Sequence, residues 1–279
     1  MKKLLYAPLI LLIICILLLV GCSVHRISSF KHITYNNESK MGLDVYKPKK
    51  LKGSKEVLVF VHGGNWNSGN KNMYRFFGKG MARKGIVSVV IDYRLSPFST
   101  YDVMAMDAAK AVKWVKENIA TYGGDSSKIF VSGHSAGGHL AALIATDETY
   151  FNALKINNPI HGVVLIDAFG LDMYKYLTIS RAPKDAMYLP VFSKDPATWK
   201  KGSPANYLHQ GMPPFLIFLG ERTHHSIIFG SYDFLGSIRK FQPDAQLIVV
   251  KKKKHIPMIV QFINPYNKAY KQILEFIHK

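Results

Sequence analysis

Short runs of apolar residues alternate with longer, more polar stretches over most of this chain. The runs are apolar at successive positions, which is typical of strands buried on both faces of a parallel sheet. They span 56–61, 86–91, 129–132, 159–167, 214–219 and 246–250. The intervening stretches predict helices over about 72–84, 101–122, 136–145, 226–240 and 266–278. This alternation predicts an α/β fold, with a mostly parallel sheet and helices on both of its faces.

The N-terminal side of this pattern is less regular. Residues 42–47 alternate apolar and polar positions, as a half-buried strand does, and Pro48 ends the run. We expect a hairpin partner for this strand. Residues 22–40 are polar and weakly patterned, which predicts a tether outside the fold. The sequence therefore predicts one folded domain over 41–279.

The segment 170–212 interrupts the alternation of strands and helices. It is too long for a bare connection, and it contains four prolines. We interpret it as a small lid insertion over a functional site. Aromatic side chains within it suit an aromatic-lined pocket: Tyr174, Tyr176, Tyr188, Phe192 and Trp199.

The chain begins with the charged and then apolar order of an export signal, because Lys2 and Lys3 precede an apolar run over 4–20. The run ends in Leu19-Val20-Gly21-Cys22, which resembles the lipobox of bacterial lipoproteins. That resemblance implies a signal peptide over 1–21, cleavage after Gly21 and a lipid on Cys22 that holds the protein to a membrane. The alternative is an uncleaved transmembrane anchor, of about 17 apolar residues. Both interpretations place the domain outside the cytoplasm, in the bacterial cell envelope.

Composition and charge narrow the possible partners. The chain has 279 residues with 48% hydrophobic content, which suits one α/β domain with a substantial core. Its net charge of +19 favours acidic surfaces such as anionic lipid headgroups or acidic glycans. Nucleic acid is not expected, because the basic residues are scattered and no base-reading motif accompanies them. The only cysteine besides Cys22 is Cys15, within the signal, so we expect no disulfide and no cysteine-based metal site.

The strongest chemical motif is Gly133-His134-Ser135-Ala136-Gly137, which follows a predicted strand and precedes a predicted helix. It fits the G-x-S-x-G nucleophile elbow, whose turn is so sharp that side chains at the glycines would collide with neighbouring backbone. The turn presents the serine hydroxyl at the edge of the sheet. The motif therefore predicts an α/β-hydrolase fold with Ser135 as its nucleophile.

A second motif, His62-Gly63-Gly64-Asn65-Trp66, follows the first predicted central strand. This fold has half of its oxyanion hole at that position. We expect the backbone N–H groups of Gly63, Gly64 and Ala136 to bind the oxyanion of a tetrahedral intermediate, each donor contributing about 3 kcal/mol.

Several segments together resemble the HGG(G/W)-type esterases. They are 62–66, 92–95, 107–114, 122–125 and 133–140, and the resemblance extends from about Val57 to the C-terminus. This grouping includes hormone-sensitive-lipase-like carboxylesterases, arylformamidase-like enzymes, and feruloyl or acetyl-xylan esterases. The resemblance implies the fold and a serine-dependent acyl transfer that needs no metal or organic cofactor, and it leaves the substrate open.

The resemblance also implies that His255, just past the last predicted strand, is the base that deprotonates Ser135. The family's usual acid falls on Thr223, which has no carboxylate. We expect Asp167 instead, at the end of the preceding strand, a placement that resembles pancreatic-type lipases. Glu221 is the alternative acid. Asp107, at the start of a helical stretch, is interpreted as a structural hydrogen-bonding residue.

These residues predict a serine carboxylic ester hydrolase that acts on short-chain or aromatic acyl esters. The ester is expected to be a small molecule or to be linked to a glycan. Two alternatives remain open at this point: a lipid-anchored binding protein that kept the fold but lost its acid, and an amidase or peptidase with the same triad.

Overall fold

A single eight-stranded sheet organises the protein, whose computed structural model describes residues 27–179 and 184–279. The strand order is β1-β2-β4-β3-β5-β6-β7-β8. The strands are β1 (Ile27–Asn36), β2 (Met41–Pro48), β3 (Lys55–Val61), β4 (Val87–Ile91), β5 (Gly124–His134), β6 (Ile160–Ile166), β7 (Phe215–Gly220) and β8 (Gln246–Val250). From β4 to β8 all neighbours are parallel, whereas β2 is antiparallel to both β1 and β4. The predicted mostly parallel α/β-hydrolase sheet is confirmed.

Helices cover both faces of this sheet. They are α1 (Arg75–Arg83), α2 (Tyr101–Asn118), α3 (Ala136–Thr146), α4 (Thr149–Ala153), α5 (Met173–Ile179), α6 (Lys184–Phe192), α7 (Pro196–Lys201), α8 (His225–Ile238), α9 (His255–Val260) and α10 (Lys268–Ile277). Four short 3₁₀ helices span Lys71–Tyr74, Ile119–Tyr122, Pro204–Tyr207 and Gln261–Ile263. In the described ranges, no helix combines the length and apolarity needed to cross a membrane.

Two apolar cores lie on opposite faces of the sheet. The larger one packs α2, α3 and α8 against one face, with fully buried Val112, Leu140 and Ile238 as examples. The smaller one packs α1, α9 and α10 against the other face, around Phe77 and Phe262. Because each central strand supplies residues to both cores, its sequence is apolar at successive positions.

The predicted tether over 22–40 is wrong for residues 27–36, which form β1 at the edge of the sheet. This strand is the hairpin partner of β2. Half of its residues are exposed, and two irregularities in register interrupt its pairing, so it lacks the alternation that identifies a strand. Polar contacts hold it instead, including a 2.6 Å hydrogen bond from the Tyr35 hydroxyl to the Asp92 carbonyl. The signal peptide and Cys22 lie outside the described residues.

The predicted lid insertion over 170–212 contains α5, α6, α7 and a 3₁₀ helix in its described part. Its aromatic residues have different roles. Phe192 is fully buried and stacks on Tyr101, with ring centroids 5.0 Å apart. Tyr174 is exposed, and the Trp199 indole donates to the Ser193 carbonyl. The remaining two, Tyr176 and Tyr188, lie beside the candidate site.

An ion pair between the half-buried Arg94 and the buried Asp107 joins α2 to the loop after β4, as the structural interpretation of Asp107 predicts. The Asp107 carboxylate is fully buried and accepts hydrogen bonds from Arg94 Nε at 2.7 Å and Arg94 Nη2 at 2.8 Å. It also accepts from the Arg94 backbone N–H and from Asn36 of β1. Asp107 therefore links the edge strand, the loop and the helix.

Replacing Asp107 with alanine removes the acceptor of all four bonds and leaves the Arg94 guanidinium without its carboxylate. We expect the free energy of unfolding to fall by about 2 kcal/mol, because the buried Asn36 amide and the Arg94 backbone N–H lose their acceptor. Denaturant unfolding followed by circular dichroism measures this change. On the same helix, Glu117→Ala removes an exposed carboxylate and should cost less than about 0.5 kcal/mol. Equal losses in the two variants would contradict the structural role of Asp107.

Candidate active site

The nucleophile elbow lies where β5 meets α3. Ser135 has φ 55° and ψ −123°, a strained conformation for a residue other than glycine. The turn is possible because a Cβ on Gly133 would lie 2.2 Å from the Gly137 carbonyl oxygen, and one on Gly137 would lie 2.2 Å from the Val61 carbonyl oxygen. The Ser135 N–H donates to the Ile166 carbonyl, so β6 supports the turn from the next strand. The elbow thus lifts the Ser135 hydroxyl above the carboxyl ends of the strands.

His255 is the first residue of α9, which follows the loop after β8. Its Nε2 lies 2.9 Å from Ser135 Oγ, and its Nδ1 lies 2.7 Å from Asp167 Oδ2. The imidazole is thus hydrogen-bonded at both nitrogens, with the carboxylate at Nδ1 and the hydroxyl at Nε2. Residues 120 positions apart in sequence meet here because parallel strands end at one edge of the sheet.

Asp167 follows β6, with φ 49°, and is completely buried. Besides His255, its carboxylate accepts a hydrogen bond from the Gly220 N–H at 2.8 Å and another from the Thr223 hydroxyl. Donors from β7 and the loop after it therefore compensate for the burial of this charge. The Thr223 hydroxyl and His255 Nδ1 lie against the same oxygen of Asp167.

Glu221 does not share this position. Its carboxylate is exposed and accepts a 2.6 Å hydrogen bond from the Lys252 backbone N–H. That contact joins the loops after β7 and β8 on the outside of the site. The geometry therefore favours Asp167 over Glu221 as the acid.

The loop over 62–66 is held in one conformation by its own contacts. The His62 ring stacks on Tyr93, with centroids 4.2 Å apart, and its Nδ1 lies 2.8 Å from the Gly63 carbonyl oxygen. Gly64 has φ 129°, where a Cβ would lie 2.1 Å from the Ser68 carbonyl oxygen. Asn65 also has positive φ. This turn sets the directions of the N–H groups that follow β3.

The three predicted oxyanion donors differ in their surroundings. Ala136 is the first residue of α3, where backbone N–H groups have no partner within the helix. Gly64 lies in the turn after β3. Burial raises the pKa of Tyr74, and a hydrogen bond from the Gly63 backbone acts in the opposite direction. Since Gly63 is engaged by Tyr74, Gly64 and Ala136 are the better candidates of the three.

Aromatic side chains cluster around Phe169, whose backbone contacts Ser135. The Phe169 N–H donates to the Ser135 carbonyl at 3.3 Å. The Phe169 ring lies 5.0 Å from Tyr176, 5.3 Å from Tyr188 and 5.9 Å from Trp66, measured between centroids. The sequence predicted the two tyrosines as pocket residues. It gave no such role to Trp66, which ends the 62–66 motif, or to Phe169, which is two residues after Asp167.

Two further histidines are buried in the elbow. His139 Nδ1 accepts a hydrogen bond from the Trp66 indole N–H at 3.3 Å, and its Nε2 lies 2.7 Å from the Gly202 carbonyl oxygen. Burial lowers the pKa of His139 to about 4 and that of His134 to about 3. Both rings are therefore neutral at neutral pH. The sequence gave no indication that His134 contacts His255.

These depressed pKa values predict how stability depends on pH. The ordinary histidine pKa is 6.5, whereas folding lowers that of His139 to about 4. Between these values the unfolded chain binds more protons, so the free energy of unfolding falls as pH drops from about 6.5 towards 4. One such histidine changes the free energy of unfolding by up to about 1.4 kcal/mol per pH unit.

The His139→Gln variant keeps an amide that can donate to Gly202 but does not titrate. We expect the free energy of unfolding of this variant to fall less steeply as the pH drops. The difference in slope should correspond to one proton fewer taken up on unfolding. Denaturant unfolding at several pH values between about 6 and 4.5 measures the slope for wild type and variant. If the free energy of unfolding fell equally steeply with pH in both proteins, folding would not lower the pKa of His139.

Within residues 27–179 and 184–279, no group of three or more histidine, cysteine, aspartate or glutamate side chains is arranged to hold a metal ion. The functional groups gathered at this edge are a hydroxyl, an imidazole, a carboxylate and backbone N–H groups. They are the components of nucleophilic acyl transfer.

Comparison with known proteins agrees with this chemistry. The chain is 27% identical over 246 residues to the isoprenylcysteine alpha-carbonyl methylesterase ICME of Arabidopsis thaliana, covering 83% of this chain and 57% of that protein. It is 31% identical over 195 residues to esterase LipQ of Mycobacterium tuberculosis, covering 64% of this chain and 45% of that protein. The chain thus spans about half the length of these curated relatives.

Solved structures share the fold. A truncated carbohydrate esterase from gut microbiota superposes with a TM-score of 0.77 at 24% identity, over 90% of this chain and 95% of that one. Thermogutta terrifontis esterase 2, phosphonylated by sarin, gives a TM-score of 0.74 at 22% identity, over 90% and 94%. The BD-FAE family model matches residues 43–228, which is more than half of the chain. The protein is therefore a member of the BD-FAE family.

Proposed function

We propose that this protein is a serine carboxylic ester hydrolase that works through a covalent acyl-enzyme. The observation that carries the proposal is the continuous hydrogen-bond chain from Asp167 through His255 to Ser135, with contacts of 2.7 and 2.9 Å. The esterase names of its relatives point to the same reaction.

In the first half of the reaction, Ser135 Oγ attacks the ester carbonyl while His255 Nε2 accepts its proton. Asp167 keeps the imidazole oriented and stabilises the imidazolium that forms. The carbonyl oxygen becomes an oxyanion, which the N–H groups of Gly64 and Ala136 stabilise, each by about 3 kcal/mol. Collapse of the intermediate expels the alcohol, which takes the proton from His255 and leaves the acyl group on Ser135.

In the second half, water attacks the acyl group and His255 again accepts a proton. The carboxylic acid leaves and Ser135 regains its hydrogen. These reaction steps consume no cofactor, since the proton that His255 accepts is transferred onward in each half-reaction.

The substrate is proposed to carry a short-chain or aromatic acyl group. Support comes from the aromatic cluster of Trp66, Phe169, Tyr176 and Tyr188, which is joined to Ser135 through the Phe169 backbone N–H, because closely packed rings favour small or flat apolar groups. The ester is proposed to be a small molecule or a glycan-linked group. The alternative of a binding protein without an acid loses its basis, because it rested on Thr223, and Asp167 supplies a carboxylate to His255.

The protein is also proposed to act in the bacterial cell envelope, held to a membrane by a lipid on Cys22. Support comes from the charged and then apolar N-terminus and from the Leu19-Val20-Gly21-Cys22 motif. A net charge of +19 would add attraction to anionic headgroups.

Three substitutions test the triad on a short-chain aryl acetate. Ser135→Ala should abolish turnover, because it removes the hydroxyl that lies 2.9 Å from His255 Nε2. Asp167→Asn should lower kcat by roughly 10⁴-fold, because the amide cannot hold the imidazole in the required tautomer or stabilise its charge. Steady-state kinetics and labelling of Ser135 by a fluorophosphonate are the measurements.

Glu221→Gln is the matched control for the acid. It makes the same chemical change in a carboxylate whose partner is the Lys252 backbone, so we expect kcat close to that of wild type. A steep fall in Glu221→Gln with activity retained in Asp167→Asn would reverse the assignment of the acid. If the wild-type protein neither hydrolyses the ester nor is labelled at Ser135, the proposal that it is a serine hydrolase is wrong.

The anchor is tested by expressing the full chain in bacteria supplied with a labelled fatty acid. Cys22→Ser should lose the label and the membrane association that depends on it. Because the only other cysteine is Cys15, Cys15→Ser is the control and should keep both. Equal labelling of the two variants would refute lipidation at Cys22.

A further inference from the structure

Two imidazoles, not one, lie next to the nucleophile. His134 precedes Ser135 in the elbow, and its ring stacks on that of His255, with centroids 4.7 Å apart and planes inclined by 28°. His134 Nε2 lies 3.3 Å from the His255 carbonyl oxygen. The last residue of β5 therefore touches the base through both its ring face and its nitrogen.

The hydrogen bond fixes the tautomer of His134. A carbonyl oxygen only accepts, so Nε2 must carry the hydrogen and donate it to His255. In the described part of the chain, Nδ1 of His134 is buried and has no hydrogen-bond partner. It lies close to Gly63, where an added Cβ would be 3.0 Å from it. His134 is only 2% exposed, so water does not hold the ring in place.

The two imidazoles are not equivalent towards a proton. Burial, together with the charge of His255, lowers the pKa of His134 to about 3. Asp167 contacts His255 Nδ1 directly, whereas no hydrogen bond joins it to His134. A proton taken from Ser135 is thus held on His255, and His134 remains neutral beside it.

Several groups face this pair. Asp167 approaches His255 from the end of β6, and His224, before α8, lies edge-on with its ring centroid 5.4 Å away. The loop with Lys251–Lys254 leads directly into His255. Tyr74 approaches the Gly63 side of His134, within 3.2 Å of a Cβ at that glycine.

From this geometry we propose that His134 is a positioning residue for His255, with two separable effects. Its N–H holds the backbone of His255 at the start of α9, which keeps the base in reach of Ser135. Its neutral ring face stabilises the imidazolium that His255 becomes in the reaction. The proposal rests on the proposed serine mechanism and goes beyond it by assigning a role to the residue before the nucleophile.

Three variants separate the two effects. His134→Gln keeps a donor and loses the ring, His134→Phe keeps a ring and loses the donor, and His134→Leu loses both. Loss of the donor should lower kcat about tenfold with little change in KM, since a hydrogen bond to the base and not to the substrate is removed. Loss of the ring should move the acid limb of the pH profile of kcat/KM to lower pH by about half a unit.

We therefore expect Gln to shift the limb and lower kcat by no more than about threefold, Phe to lower kcat about tenfold but keep the limb, and Leu to do both. Steady-state kinetics on a soluble aryl acetate across a pH series gives both quantities. NMR titration of the His255 ring gives the midpoint of its protonation independently of turnover. His139→Gln is the control, because it removes another buried neutral imidazole that does not touch His255 and should leave the acid limb where it is in wild type.

The outcomes are distinguishable. Equal kcat losses in Gln, Phe and Leu with an unmoved acid limb and titration midpoint would reduce His134 to a space-filling residue and overturn the proposal. If Leu does not fold, the contrast between Gln and Phe still decides. A wild-type protein without esterase activity would refute the proposed function instead, and the NMR midpoints would still test the contact between the two rings.

Discussion

The hydrogen-bond chain from Asp167 to Ser135 depends on three strands ending at the same edge of one sheet. β5 leads into Ser135, β6 leads into Asp167, and the loop after β8 leads into His255. None of these residues is near another in sequence, so their contact exists only while the parallel pairing of the central strands is intact. Both apolar cores stabilise that pairing, since each central strand contributes side chains to the two faces. The free energy gained by burying apolar surface is what holds three polar groups within hydrogen-bonding distance.

Much of this arrangement can be predicted from the sequence, because the features that determine it are local. Strands buried on both faces are apolar at every position, and a nucleophile elbow needs glycines at fixed places. The edge strand β1 could not be predicted in this way. Only one of its ten residues is buried, and its contribution comes from backbone pairing and from polar contacts such as that of Asn36 with Asp107. Those partners are distant from β1 in sequence, so no short sequence pattern predicts the contacts.

The position of the acid illustrates the same limit. A carboxylate at the end of a strand can be catalytic or structural, and the sequence alone distinguishes Asp167 from Glu221 only weakly. What separates them is their surroundings: Asp167 is buried with the Gly220 N–H, the Thr223 hydroxyl and His255 around it, whereas Glu221 lies exposed against the Lys252 backbone. The contact between His134 and His255 is likewise tertiary. It joins residues 121 positions apart, and only folding brings them together.

The pairing of β1 with β2 also limits where the catalytic domain can go. With the lipid proposed on Cys22, only four residues separate the anchored cysteine from the first residue of the sheet, Ile27. A fully extended chain of that length reaches no more than about 18 Å. The domain would then be confined to a thin layer next to the bilayer, unlike an enzyme on a long flexible linker. Esters at or near the membrane surface would encounter it far more often than esters in the bulk phase.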